Sequence, residues 1–193
     1  MKNKLLLSAA LGLGLSACQT GRPPYPTGIY RTAADFRQQR PALAGAKAGR
    51  VFLARKVFVT NAPGSVERRT KVSQDSTWGY AGADHQAYRL TRHGAYRVEQ
   101  TDTLMVYSRQ EGSGRQRRIA YYFSAGLSSP VHPLSNRWLK RTYPDNIVFL
   151  QSLKHAKWYQ PLAAHAQQPL ALKSFWLVAL YRQSLGLPAS YPR

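Results

Sequence analysis

The chain of 193 residues has a single cysteine, Cys18, and only eight Asp and Glu against 28 Lys and Arg. One cysteine excludes an internal disulfide and any metal site built from several thiolates. The scarcity of carboxylates leaves little for a glycosidase, which needs two of them facing one bond. There is no HExxH, no GxSxG, no phosphate-binding Gly-Lys loop and no GxGxxG, so zincin, serine-hydrolase, nucleotide-hydrolase and dinucleotide-binding chemistry have no visible machinery. The apolar run Leu5 to Leu15 falls well short of the roughly 20 residues a membrane-spanning helix needs.

The titratable residues that remain mostly have structural explanations. Asp35 and Asp145 stand at helix starts, Asp102 in a turn and Asp84 in the loop "GADH". Asp75 has no such explanation, and Asp75 and Glu99 could face each other across a sheet. These two and the histidines are the candidates for an envelope hydrolase, the alternative functional class. His85, His93, His132, His155 and His165 include no pair at helical i, i+4 spacing, so surface or turn positions are expected for them, and no metal or cofactor is expected.

What is present begins at the N-terminus. Lys2 and Lys4 precede the apolar run, and Leu15-Ser16-Ala17-Cys18 follows it. A positive start, a short apolar core and small residues before a cleavage point are the parts of a secretory signal peptide. The four-residue ending resembles the lipobox of bacterial lipoproteins. That resemblance implies cleavage before Cys18, lipidation of its thiol and acylation of the new amino group. Residues 1–17 are then a signal peptide and 18–30, with "QTGRPPYP", a flexible tether. Gln19 after the cysteine, where some inner-membrane lipoproteins carry Asp, points to the outer membrane, and the absence of an acidic cluster points to its periplasmic face.

The rest, residues 31–193, reads as one domain. Thr32 is placed to cap a short helix over "TAADFRQQ", with Asp35 closing an approximate capping box. "PALAGAKAG", 41–49, reads as a loop. Strand signals run from about residue 50 to 124, separated by "NAPG", Arg92-His93-Gly94 and "EGSG". Five or six strands at short spacing argue an antiparallel meander. Helical patterns follow over about 134–186: Ser135 caps "NRWLKRTY", Asp145 caps "NIVFLQSLKHAKWY" with Ile147, Leu150 and Lys154 in helical stride, and Gly186 stops the last helix after Leu172, Phe175, Trp176 and Ala179. The fold class is α+β, an antiparallel sheet followed by two or three C-terminal helices.

"DSTWGYAGADHQAYRL", 75–90, carries the most character. Its Trp-Gly-Tyr has the look of WG-type β-repeats, but one copy makes no repeat. With "GIYRTAADF" and "SSPVHPLSNRWLKRTYPDN", it resembles a family of envelope proteins of Bacteroidota over most of residues 28–150. The resemblance implies origin and compartment and carries over no active site. Trp78, Tyr80, Tyr88 and Tyr96 are expected in the core or on a sheet face. In Tyr88-Arg89 and Tyr96-Arg97 the two side chains diverge, and Tyr inward with Arg outward is expected.

That arrangement gives a basic face of Arg89, Arg97, Arg115, Arg117 and Arg118 with Trp78 and Tyr80. It would suit anionic phospholipid, lipopolysaccharide phosphate or another acidic envelope component. Compositional drift toward Arg accounts for 19 Arg beside nine Lys but not for the shortage of acids. The basic clusters, "RQRR" at most, are too short for a nucleic-acid arm, so no nucleic acid is expected. The expected role is a membrane-anchored, non-catalytic binding or accessory module.

Overall fold

The structure is a computed structural model that describes residues 25–45, 47–48, 56–60, 69–73, 76–113, 117–155 and 176–188. Cys18, Asp75, Arg115, His165, Leu172 and Phe175 lie outside these residues, as does the "NAPG" turn.

An antiparallel sheet of eight strands forms the centre. Its strands are β1 (Gly28–Tyr30), β2 (Leu43–Ala44), β6 (Gly79–Ala81), β7 (Ala87–Thr91), β8 (Gly94–Gln100), β9 (Met105–Glu111), β10 (Arg118–Ser124) and β11 (His132–Pro133). The spatial order is β11-β10-β9-β8-β7-β6-β1-β2. Strands β6 to β10 form a meander within the expected span, each beside its successor, and β11 beyond that span extends it; the strands expected at 50–60 and 67–73 do not join it. A separate three-stranded antiparallel sheet joins β3 (Lys47–Ala48), β4 (Lys56–Thr60) and β5 (Arg69–Ser73). The class is therefore α+β as the sequence predicts, with more strands than five or six.

The extra strands come from two stretches that read as irregular. Gly28 to Tyr30 is a fully buried strand rather than the end of a tether. The Pro and Gly that forbid a helix there permit an extended strand, and Tyr25 already stacks on Phe36 with ring centres 5.1 Å apart. Leu43–Ala44 and Lys47–Ala48, within the expected loop 41–49, supply two-residue strands.

Turn chemistry fixes the meander. Thr91 pairs with Gly94 around Arg92-His93, and the Thr91 hydroxyl accepts from the His93 amide at 3.1 Å. Between β8 and β9 the register slips at Glu99, a bulge that leaves this one residue outside the ladder. Gly79 is the reason for glycine in Trp-Gly-Tyr: a Cβ there would sit 2.2 Å from the Tyr88 carbonyl oxygen, so the β6–β7 pairing closes only without a side chain.

Helices cover both faces. The short α1 (Ala33–Arg37) starts on the expected capping box between Thr32 and Asp35 and buries Phe36 with Tyr30, Trp78, Tyr96, Val98, Met105, Tyr107 and Tyr122. On the opposite face α2 (Asn136–Thr142), α3 (Ile147–His155) and α4 (Trp176–Ser184) pack Leu139, Phe149, Leu153, Leu177 and Val178 on Leu104, Val106 and Phe123. Ser135 caps α2 as expected. The cap of α3 is Asn146, whose Oδ1 accepts from the Phe149 amide at 3.0 Å, and not Asp145. Gly186, with φ of 70°, ends α4 in a Schellman motif closed by Gly186 N–H to Gln183 O and Leu187 N–H to Arg182 O, both 3.0 Å. Among the described residues no helix is long and apolar enough to cross a membrane.

Candidate functional site

The two strand pairs expected to present Tyr inward and Arg outward behave oppositely. In β8 the expectation holds: Tyr96 is buried and Arg97 is exposed. In β7 it reverses, with Arg89 only 8% exposed and Tyr88 half-buried. The reason is register. Arg89 pairs with Tyr96 and with Gly79, which puts all three on the face that α1 covers.

Arg89 clamps the loop between β10 and β11. Its Nη1 donates to the Tyr107 hydroxyl at 3.0 Å, to Ser124 Oγ at 3.4 Å and to the Gly126 carbonyl at 3.5 Å, and its Nη2 to the Ser129 carbonyl at 2.8 Å. The guanidinium lies over the Trp78 ring at 5.7 Å and the Tyr107 ring at 5.8 Å. Trp78 in turn stacks on Phe36 at 4.0 Å and donates its Nε1–H to the Leu127 carbonyl at 2.7 Å. Among the described residues no carboxylate pairs with Arg89. Arg89 and Trp78 thus leave the expected outer face and form one interior cluster that holds residues 124–129.

The opposite face of the sheet collects the other candidates in a single cross-strand row. Tyr80 pairs with Tyr88, Tyr88 with Arg97, Arg97 with Ser108 and Ser108 with Tyr121. The Tyr80 and Tyr88 rings stack at 5.0 Å. Burial, with the neighbouring Tyr88 and Asp84 adding to it, pushes the Tyr80 hydroxyl up to about 12. The bulge turns Glu99 toward this row, where its carboxylate accepts from Ser108 Oγ and lies 3.4 Å from Arg97 Nε. Sequence reasoning named Tyr80 and Arg97 but could not pair them with Ser108 and Tyr121, because the slip at Glu99 has no sequence mark.

Arg117 and Arg118 sit at the far end of the β9–β10 hairpin, both exposed. There Glu111 takes 3.0 Å and 3.5 Å contacts from Arg109 and Arg118 and a hydrogen bond from the Tyr122 hydroxyl. Arg109 lies over the Tyr96 and Tyr122 rings at 4.9 Å and 5.4 Å. The Tyr122 hydroxyl, then Arg109, holds the Glu111 carboxyl below its ordinary 4.5. Burial first, and the bond to Glu111 second, pushes Tyr122 up from 10.0 to about 12.

The signs give two limbs. A depressed carboxyl stabilises the fold above its ordinary value, and that contribution is lost as pH falls through 4.5 toward the lower folded value. A raised tyrosine stabilises below 10.0, and its contribution is lost as pH rises from 10.0 toward about 12. Glu111→Gln is expected to flatten the acid limb and to shrink the alkaline limb from its upper end, its onset staying near 10.0, measured by urea unfolding across both ranges. Limbs unchanged by the substitution would mean that the network contributes nothing.

The remaining acids have comparable roles. Asp35 caps α1, Asp84 accepts from the Gln86 amide at 3.0 Å, and Asp102 pairs with Arg182 at 2.8 Å. His85 bonds the Tyr25 carbonyl, His93 accepts from Arg92, and His132 stacks on Trp138 at 4.2 Å. Among the described residues no three His, Cys, Asp or Glu side chains converge on a common point.

Meanwhile Arg31, Arg37, Arg40, Arg92, Arg97, Arg117, Arg118, Arg137, Lys140, Arg141 and Lys154 are all exposed. Internal contacts hold most of the few carboxylates, and the cations point to solvent. Comparison with models of protein families, with curated proteins and with solved structures gives no match.

Proposed function

We propose that the protein is a lipoprotein of the bacterial outer membrane, anchored through Cys18 on the periplasmic side, whose domain is a non-catalytic binding or accessory module for an anionic envelope surface. The supporting observation is the split of charge by depth. Asp35, Glu99, Asp102 and Glu111 are held in a helix cap or in ion pairs, while most of the described Arg and Lys side chains are exposed. Arg97, Arg117 and Arg118 remain exposed, Arg97 in the Tyr80–Tyr121 row and Arg118 beside Glu111 at the hairpin end, whereas Arg89 and Trp78 serve the interior. A protein with this surface concentrates beside phosphate-bearing lipid or lipopolysaccharide, and salt screens the attraction within about 10 Å at 0.1 M.

The test compares anionic phosphatidylglycerol vesicles with zwitterionic phosphatidylcholine vesicles, using the full chain carrying Cys18→Ser. The difference between the two is the readout, because an apolar leader partitions into both. Binding to the anionic vesicles is expected to be at least about tenfold tighter at low salt, to approach the zwitterionic level near 0.5 M salt, and to weaken in an Arg117→Glu, Arg118→Glu double variant. Equal binding to both vesicles, or no response to salt, would sink the reading.

A further inference from the structure

The stride Ile147, Leu150 and Lys154, helical in the sequence, is not the main buried face of the helix. α3 packs on Phe149 and Leu153 instead, and Ile147 and Phe149 point about 200° apart around a helix of 3.6 residues per turn. Ile147 and Lys154 face outward and Leu150, half-buried, packs partly against the core, so the stripe runs along its edge. With Lys140, Pro144 and Gln151 it lines an open depression of about 430 Å³ at the corner between α2 and α3. Ile147 is 63% exposed and its neighbour Val148 56%, two β-branched aliphatics side by side in the first turn. A soluble surface carries such residues singly; a pair beside an open apolar depression marks a contact.

The charge around the pair indicates which contact. Residues 136–155 hold Arg137, Lys140, Arg141 and Lys154 against one acid, Asp145, and all five are exposed. Lys140 and Lys154 flank the depression itself. Arg141, nearby on α2, lies over the Trp138 ring at 5.3 Å. Projecting aliphatics ringed by lysine and arginine match a layered surface, apolar below and anionic above. That is the profile of an anionic bilayer interface, and the arrangement resembles that of amphipathic helices lying in one.

We infer that the α2–α3 corner is the face by which the domain docks on anionic phospholipid, with Ile147 and Val148 entering the acyl boundary and Lys140 and Lys154 meeting lipid phosphates. The inference rests on the proposed attraction to an anionic envelope surface and assigns it a place.

The test uses a fluorescent reporter. In the full chain carrying Cys18→Ser, the only cysteine is the one introduced, so Val148→Cys takes a polarity-sensitive dye at one site. Gln38→Cys, at the exposed end of α1 on the other side of the sheet, is the reference. On phosphatidylglycerol vesicles the dye at 148 is expected to shift to the blue and brighten several-fold, with little change at 38 and none on phosphatidylcholine. Lys140→Gln with Lys154→Gln should raise the lipid concentration for half-response at least about tenfold.

A dye at 148 that stays in water while the chain still binds anionic vesicles in a salt-dependent way would overturn this docking face alone. No charge-dependent binding at all would overturn the underlying attraction with it. An equal response of the 148 dye to soluble polyglutamate would overturn the lipid assignment and point to an acidic protein partner.

Discussion

Replacing Arg89 by methionine is expected to lower the unfolding free energy by about 3 kcal/mol and the midpoint of thermal unfolding by roughly 10 °C. Methionine approximates the volume, so the loss is in polar contacts. The guanidinium reaches Tyr107 and Ser124 with one nitrogen and the Ser129 carbonyl with the other, across the 124–129 loop. The Gly126 carbonyl keeps a donor without it, because Ser124 Oγ bonds it at 2.8 Å. The Ser129 carbonyl has no other donor among the contacts described, and Trp78 and Tyr107 lose a cation over their rings. Among the described residues no carboxylate pairs with Arg89 and none is stranded, so the cost stays below that of breaking a buried ion pair.

Arg89→Lys should recover only part of the difference, because one ammonium cannot bridge both sides of the loop. Urea unfolding gives the number. Faster proteolysis between Ser124 and Ser129 in the variant would locate it. Wild-type stability in Arg89→Met would mean that the clamp contributes nothing.

The fold was legible where local chemistry specifies it. The Thr32 and Ser135 caps, the turn at Arg92-His93-Gly94 and the stop at Gly186 each rest on residue types with one preferred use, and each forms as read. Decisions that depend on partners distant in sequence were not legible. Tyr88-Arg89 and Tyr96-Arg97 are alike as dipeptides, yet pairing in register places Arg89 on the covered face and Arg97 on the open one. Likewise both Ile147-Leu150 and Phe149-Leu153 follow a helical stride, and only the position of Tyr143 and Tyr181 beside Phe149 decides which is core. β1 escaped notice because its three residues form a strand only once β2 and β6 flank it. Of the candidate site, Tyr80 and Arg97 do share a face, but Ser108 and Tyr121 complete their row through a bulge that no residue type announces.

Under the proposed anchoring, Cys18→Ser, with residues 1–17 replaced by a leader that is cleaved without lipidation, is expected to move nearly all of the protein out of the salt-washed membrane fraction and to remove the lipid from its intact mass. Each buried CH₂ contributes about 0.8 kcal/mol, one acyl chain gives only reversible binding, and two or more give a stable hold. The three chains implied at Cys18 would therefore resist any salt wash, because apolar burial does not depend on ionic strength, whereas attraction through Lys140, Lys154 and the exposed arginines does. The two contributions separate in one experiment. Wild-type protein should stay with membranes at both low and high salt. The Cys18→Ser protein should show a residual bound fraction at low salt that disappears near 0.5 M, and Ile147→Asp with Val148→Asp should abolish that fraction without releasing the wild-type anchor. A Cys18→Ser protein that remains in the washed membrane with the wild-type mass would rule out lipidation at Cys18. A residual fraction indifferent to the α2–α3 substitutions would place the electrostatic contact elsewhere, with the β9–β10 hairpin end of Arg117 and Arg118 the next surface to test.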